Sequence, residues 1–258
     1  MAGAGTIPRI AWPEEIGSNT KTIYYTDGSG SVDLNLAEQD TFWRGDGTAA
    51  DAALALKTAM ETAADATGSA QDYTVTLSTA GVISIVASAG TFQLEFDHVN
   101  TTASEAFFGF NAAVRASTGD TLLGDYQVGN CWFPEQEYID DTEDQPRNPS
   151  IQTQLLNGRT RTTQLGTWTE REVFFDVLPS SKVFTAEEAT TQEAFQRFYA
   201  WASQGKRFEF TRDWINTKAP DNTYVVNAQD WLNRWPAVVA PNTVRLYDIP
   251  LPMLLYVS

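Results

Sequence analysis

Residues 195–214 read FQRFYAWASQGKRFEFTRDW, and the periodicity of this stretch decides the architecture of the C-terminal half. Seven of the twenty residues are Phe, Tyr or Trp and four are Lys or Arg, so an aromatic-basic nucleic-acid surface is the first possibility to weigh. Phe195, Phe198 and Ala202 fall at i, i+3 and i+7, with Tyr199 beside them, which is one stripe of a helix. Gly205 stands where a helix stops, and Phe208 and Phe210 then alternate as in a strand. A helical stripe followed by period two describes side chains facing a core. Glu209 and Asp213 interleave with Lys206, Arg207 and Arg212, which further disfavours a phosphate-binding face. Trp, Tyr and Arg are favoured in protein contacts, so Trp201, Arg207, Asp213 and Trp214 are expected at ion pairs and subunit contacts.

Upstream, Thr185 and Glu188 form a T-x-x-E capping box, so the helix is expected over 185–204. Residues 151–179 read as strand, Asn157-Gly158 turn, strand, Gly166 turn and strand, an Asn-Gly pair being a strong hairpin signal. Val173, Phe175 and Val177 alternate, and Pro179 ends that strand. Downstream, 223–258 reads as further strands punctuated by Pro236, Pro241, Pro250 and Pro252.

The first half has its own pattern. Residues 22–26 and the alternating Val32, Leu34 and Leu36 flank Asp27-Gly28-Ser29-Gly30, a β-hairpin. Residues 45–68 predict an alanine-rich helix, with Thr48 and Asp51 at its start and Gly68 at its stop. Residues 73–96 hold three period-two runs separated by Ala80-Gly81 and Ala89-Gly90, a three-stranded meander, and AFFGF (106–110) adds aromatic core mass. Residues 134–149 hold three prolines, and six of the ten residues 135–144 are acidic, the composition of a solvated linker. A Ca²⁺ loop is disfavoured there, because the D-x-[DN]-x-[DN]-G spacing is missing. The expected organisation is therefore an acidic α+β unit over 1–133, a linker over 134–149 and a β-rich, sandwich-like domain over 150–258. The fold class is mainly β with two α-helices.

Charge divides at the same place. Residues 1–146 carry 5 basic and 22 acidic side chains (5 − 22 = −17), whereas 147–258 carry 12 and 11 (12 − 11 = +1). A polyanionic half repels phosphate, so specific nucleic-acid binding is not expected. No apolar run approaches the ~18–20 residues that span a bilayer, so no membrane partner is expected. The opening MAGAGTIPRIAWPEE has no basic then apolar pattern of a signal peptide.

Chemistry has few candidates. His98 is the single histidine and Cys131 the single cysteine, which rules out multi-ligand His/Cys zinc sites within one chain. Cys131, in GNCWFP, reads as a buried inert thiol. Phosphate-binding, dinucleotide and nucleophile-elbow motifs are missing from the sequence. Arg44-Gly45-Asp46 spells an adhesion tripeptide but reads as a turn before a helix. The expectation is a protein without enzymatic activity, catalytic residues, metal or cofactor.

The pattern R…W…R…V.F.V, then E.F..FY.WA..GKRFEFTRDW, resembles distal tail proteins and related baseplate components of long-tailed bacteriophages. The residues that carry it are Trp168, Arg171, Phe195, Phe198, Gly205, Phe208, Phe210 and Asp213, within about 150–215. The first unit resembles β-rich segments of phage virion proteins, and it is longer than the lead-in usual for distal tail proteins. The resemblance implies a structural virion protein, assembled in the host bacterial cytoplasm. It implies a ring, commonly of six copies, that joins the tail tube protein to the baseplate hub or a tail fibre protein. It also implies that the molecule works through packing and interface residues: Trp168, Arg171, Phe195, Phe198, Trp201, Arg207, Phe208, Phe210, Asp213 and Trp214. The alternatives are a neck or tail adaptor, or a carbohydrate- or receptor-binding β module of a virion, the latter suggested by Trp231 and Trp235.

Overall fold

The computed structural model describes residues 8–16, 21–37, 39–44, 47–48, 51–78, 80–132, 134, 139–140, 145–147, 150–154, 160–164, 168–179, 195–213, 222–226, 237–239 and 245–256. Among the described residues the chain is mainly β with two α-helices. Its elements begin with β1 (Arg9–Ala11), β2 (Glu14–Ile16), β3 (Thr22–Asp27), β4 (Ser31–Asn35) and β5 (Gln39–Thr41). Helix α1 (Ala52–Thr67) follows, then β6 (Tyr73–Leu77), β7 (Val82–Ala87) and β8 (Phe92–Glu95). A 3₁₀ turn over Glu105–Phe108 leads to β9 (Val114–Ala116), β10 (Thr121–Gln127) and β11 (Cys131–Trp132). Next come β12 (Ile139–Asp140), β13 (Gln145–Arg147), β14 (Ser150–Gln154), β15 (Thr160–Gln164) and β16 (Trp168–Pro179). Helix α2 (Phe195–Ala202), β17 (Phe208–Thr211), β18 (Asn222–Val226), β19 (Ala237–Val239) and β20 (Arg245–Leu255) complete the series.

Helix α1 ends at Gly68 as expected, in the left-handed conformation that glycine adopts without strain. Its start differs from the Thr48 cap predicted. Asp51 is itself the N-cap, and its carboxylate accepts the N–H groups of Ala53, Arg44 and Gly47. A carboxylate has two oxygens and about four acceptor sites, so it takes three amides at once, whereas a threonine hydroxyl has one oxygen with about two. The buried face is Ala52, Ala53, Leu56, Ala59, Met60, Ala63 and Ala64, small enough to bring the helix close to the strands.

The hairpin of β3 and β4 forms in the register Thr22↔Asn35 to Thr26↔Ser31. Its turn is held by Asp27, whose Oδ1 accepts the N–H groups of Ser29 and Gly30 at 2.8 and 3.0 Å. The meander needs correction. β6 and β7 pair as a hairpin, but β8 leaves them and pairs with β3. The second edge of β7 is taken by β10 instead. Two sheets result, β10-β7-β6 and β4-β3-β8-β9, over one core of the first half. The turn at Ala89-Gly90 reads the same whether the next strand folds back or crosses, so local residues do not decide it.

Strand pairing crosses the expected boundary at 133. β1 lies in the nine-stranded sheet β11-β1-β17-β18-β20-β16-β12, to which β13 and β19 are attached through β16 and β20. β1 and β11 are antiparallel neighbours, with Ile10↔Trp132 and Ala11↔Cys131, and the Trp12 N–H donates to the Asn130 carbonyl at 2.9 Å. Residues 13–130 are thus an insertion between two adjacent strands of the sheet built by the second half. The inserted segment holds four basic and sixteen acidic side chains, net −12. Strands of three and two residues are too short to show a period, so RIA and CW carry no readable assignment in sequence.

Two short strands are described within the acidic segment 134–149. β12 and β13 pair with β16 along its length, Ile139↔Phe174 and Arg147↔Trp168 among the partners. β14 and β15 form the expected hairpin ladder, Ser150↔Gln164 to Gln154↔Thr160, and Asn157-Gly158 and Gly166 lie outside the described residues. The helix is described over Phe195–Ala202, whereas its predicted start at 185–194, with Thr185 and Glu188, lies outside the described residues.

Candidate functional site

The aromatic stretch folds inward. Phe195, Phe198 and Ala202 are the buried face of α2, and Phe208 and Phe210 point from β17 into the same core. Their rings form a chain of contacts. Phe195 meets Trp132 at 4.9 Å between centroids, Phe198 meets Phe195 at 5.5 Å, and Phe208 meets Phe198 at 4.8 Å, all edge to face. That geometry sets the positive ring edge against the negative face. Trp12 joins at 5.7 Å from Phe198, so the residue just past β1 and β11 each supply a tryptophan to a core built mainly by residues beyond 170. Arg171 is buried with its guanidinium 5.0 Å from the centre of the Phe210 ring.

Trp201 and Arg207 lie at the margin of this core. The Trp201 indole N–H donates to the Arg207 carbonyl at 3.0 Å, and Lys206 Nζ sits 4.1 Å from the indole centre. These contacts brace the turn between α2 and β17, where Gly205 takes φ +72°. Asp213 is half-buried just past β17, Trp168 opens β16 opposite Arg147, and Trp214 lies outside the described residues. Five of the ten predicted residues (Arg171, Phe195, Phe198, Phe208 and Phe210) are therefore brought together in one core.

Behind that core runs a charged seam that sequence reasoning missed. β17 alternates: Phe208 and Phe210 face α2, while Glu209 and Thr211 face the inserted segment. Glu209, 1% exposed, receives Arg44 through both guanidinium nitrogens Nε and Nη2, with Nε to Oε2 at 3.0 Å. Arg9, fully buried, places Nη2 3.8 Å from the same carboxylate and donates to Thr211 Oγ1 at 3.0 Å. Arg9 also donates to the Trp43 carbonyl. Strand, insertion and sheet are thus tied through one carboxylate. Arg44 belongs to the adhesion-like tripeptide and is largely occupied here, while Gly45 and Asp46 lie outside the described residues. The only available signal was an acid between two core aromatics in F-E-F. Its partners lie 165 and 200 positions away, too far for any spacing rule.

A second polar cluster centres on Asp27. Its Oδ2 accepts the hydroxyls of Thr67 and Ser69 at 2.7 Å each and of Tyr25 at 3.0 Å. Burial pushes this carboxyl up, but the bonds from Ser69, Thr67, the Ser29 N–H and Tyr25 together outweigh it and hold it below its usual value. The Tyr25 hydroxyl also meets that of Tyr73, and burial raises both phenols, Tyr73 to about 12. Both tyrosines stay protonated near neutrality and serve as donors. The cluster ties the end of α1 to the β3–β4 turn.

The reactive-residue candidates are held as packing groups. Cys131 is buried, and burial pushes its thiol up to about 12, far from a nucleophilic thiolate. His98 stacks on Tyr24 at 3.6 Å and its Nδ1 accepts the Asn100 N–H at 3.2 Å. Among the described residues there is no group of three or more His, Cys, Asp or Glu side chains that would hold a metal ion. Among the same residues no helix is long and apolar enough to cross a membrane.

One groove is open. It lies between α1 and β4, about 380 Å³ in volume, lined by Val32, Asp33, Asn35 and small helix residues including Ala55, Ala59 and Thr62. On the other side of α1, Glu61 Oε1 accepts the Tyr73 N–H at 3.2 Å and so covers part of the β6 edge. Comparison with protein-family models, curated proteins and solved structures finds no match.

Proposed function

We propose that this chain is a structural component of a bacteriophage tail. Copies of it form a ring at the distal tail or baseplate, joining the tail tube to a hub or fibre. One observation carries this reading. The shape pattern of the resemblance (long strand, helix with F-x-x-F, glycine turn, F-x-F-x-D strand) corresponds to elements that share a single core. β16 supplies Arg171, Val173 and Phe175 to that part of the structure, α2 supplies Phe195 and Phe198, and β17 supplies Phe208 and Phe210. The rigid sheet so formed carries the inserted acidic module on its β1–β11 side, which suits a protein that presents different faces to different neighbours.

Two supports come from the electrostatics. The inserted module, net −12, would repel DNA passing through a channel, as a phosphate-lined cargo demands of its conduit. The buried Arg9–Glu209–Arg44 seam would hold that module at one angle to the sheet, which a closed ring requires of every copy. Negative-stain imaging and native mass measurement of the purified chain test the reading. A closed ring, commonly of six copies, is the expected result. A monomer at all concentrations that binds glycans and no tail component would overturn it in favour of the receptor-binding alternative.

A further inference from the structure

Among the described residues, no strand pairs with the outer edge of β4 in the β3–β4 hairpin. The Leu36 N–H donates to the Lys21 carbonyl and the Asp27 N–H to the Gly30 carbonyl, both at 2.9 Å. Antiparallel alternation then turns the backbone groups of residues 30, 32, 34 and 36 toward β3. Those of Ser31, Asp33 and Asn35 point the other way, toward the groove beside α1. The Asp33 carbonyl is met there only by the amide of the nearby Asn35 side chain, at 3.2 Å. An exposed edge of this kind is a template for another strand, and small helix residues leave room for one.

The edge is also electrostatically one-sided. Of the four cations in the −12 module, Arg44 is bound to Glu209, Lys57 to Glu61 and Arg115 to Asp125, while Lys21 stands at the far end of the hairpin, its carbonyl paired with the Leu36 N–H. Among the described residues, the Asp33 carboxylate on β4 accepts the neutral Asn100 amide, at 3.1 and 3.2 Å, and forms no ion pair. A strand that docks here should carry a cation flanked by short side chains that fit over alanines and threonines.

The chain contains such a strand. β14 and β15 form a two-stranded ribbon that pairs with no other strand among the described residues. A lone two-stranded ribbon is marginal in water, so it gains from joining a larger sheet. Residues 145–169 contain Arg147, Arg159 and Arg161 and no acid, and β15 reads Thr160-Arg161-Thr162-Thr163-Gln164. Arg161 flanked by threonines is the cation between short β-branched residues that the β4 groove calls for.

We propose that β15 of a second copy adds to the outer edge of β4, in the register that sets Arg161 opposite Asp33. The two surfaces are different patches of the same chain. The contact is therefore head-to-tail and closes into a ring when the rotation between copies permits. Added backbone hydrogen bonds supply affinity, and the cross-strand charge pair supplies register. This assignment rests on the self-assembling reading above and names the surface through which it works.

The test is a charge swap in the full chain, read by sedimentation velocity across a concentration series. Asp33→Arg and Arg161→Asp should each raise the concentration midpoint of association at least about tenfold, because each sets like charges side by side. The double variant should return to within about threefold of the wild type, since the pair is restored with its sign reversed. Asp33→Asn, which keeps the side-chain shape, should give a smaller loss and serves if Asp33→Arg disturbs the circular dichroism of the fold. Hydrogen exchange at the Ser31, Asp33 and Asn35 amides should be slow in the associated form and fast at high dilution. If the wild type associates and neither single variant weakens it, or the double variant fails to recover, this docking is wrong while a ring through another surface stands. If the wild type never associates, both the docking and the ring reading fall.

Discussion

Replacing Glu209 by Gln isolates the energy of the charged seam. The substitution keeps size and one acceptor oxygen but removes the single negative charge that Arg9 and Arg44 share. Arg44 is 17% exposed and can turn its guanidinium toward water, but Arg9 is 0% exposed and has no such route. Removing one partner of a buried pair costs roughly 3–5 kcal/mol, most of it the desolvated charge left behind. Because the Gln oxygen still accepts from Arg44, the lower end, about 3 kcal/mol, is expected. For a chain of this size that corresponds to a fall in Tm of about 6–12 °C. Arg44→Met removes the partly exposed partner and leaves the Arg9–Glu209 pair intact, so about 1 kcal/mol is expected. Urea unfolding followed by tryptophan fluorescence measures both, and hydrogen exchange locates the effect. Amides of β1, β11 and β17 should exchange faster in Glu209→Gln, while those in the middle of α1 should not. Added salt should change the wild-type value little, because buried pairs are poorly screened. A Glu209→Gln variant within about 0.5 kcal/mol of wild type, with unchanged exchange at β1, would show that the seam is not what joins the insertion to the sheet.

Phe198→Ala empties the middle of the ring chain between Phe195 and Phe208 and should cost about 3–5 kcal/mol, whereas Trp201→Ala, at the core margin, should cost less; thermal unfolding of the two variants ranks them. The Asp27 carboxyl is depressed in the folded state, so its stabilisation is fully present above the unfolded carboxylate range and is lost as pH falls through the lower folded value. Acid unfolding of Asp27→Asn should accordingly show a flatter limb below about pH 4 than the wild type, and identical limbs would refute the hydrogen-bond assignment. Gly109→Ala should destabilise strongly, since its φ is +76° and an added Cβ would stand 2.6 Å from the Tyr126 carbonyl. Gly68→Ala, with φ +83° and open space, should lose only about 1 kcal/mol. A denaturant midpoint for each glycine variant checks that order.

Some of this molecule was legible before any coordinates. Thr22 to Asn35 announces its hairpin through alternation and an Asp-Gly-Ser-Gly turn, and α1 announces its buried face through alanines and Leu56 and its end through Gly68. The core role of Phe195, Phe198, Phe208 and Phe210 was readable because 3.6- and 2-residue periods directly report which side chains leave water. The misses share a different cause. Thr48 and Asp51 both look like caps, and which one acts depended on where Arg44 and Gly47 bring their amides. β8 reads like the third strand of a meander, yet it completes the β3 sheet because β10 already occupies the edge of β7.

The amino-acid sequence alone determined the two helices and the longer strands and which faces they bury, because those properties are set by neighbours within a turn or two, whereas the two- and three-residue strands left no such mark. It also determined the polyanionic first half and the scarcity of reactive side chains. Tertiary structure decided which strand lies beside which, since every open strand edge offers the same N–H and C=O groups and only long-range closure chooses among them. That closure put β1 next to β11 and β17, turned 13–130 into an insertion and, among the described residues, left β4 at the edge of its sheet. It also gathered Arg9, Arg44 and Glu209 into a buried seam, where removal from water makes their pairing consequential.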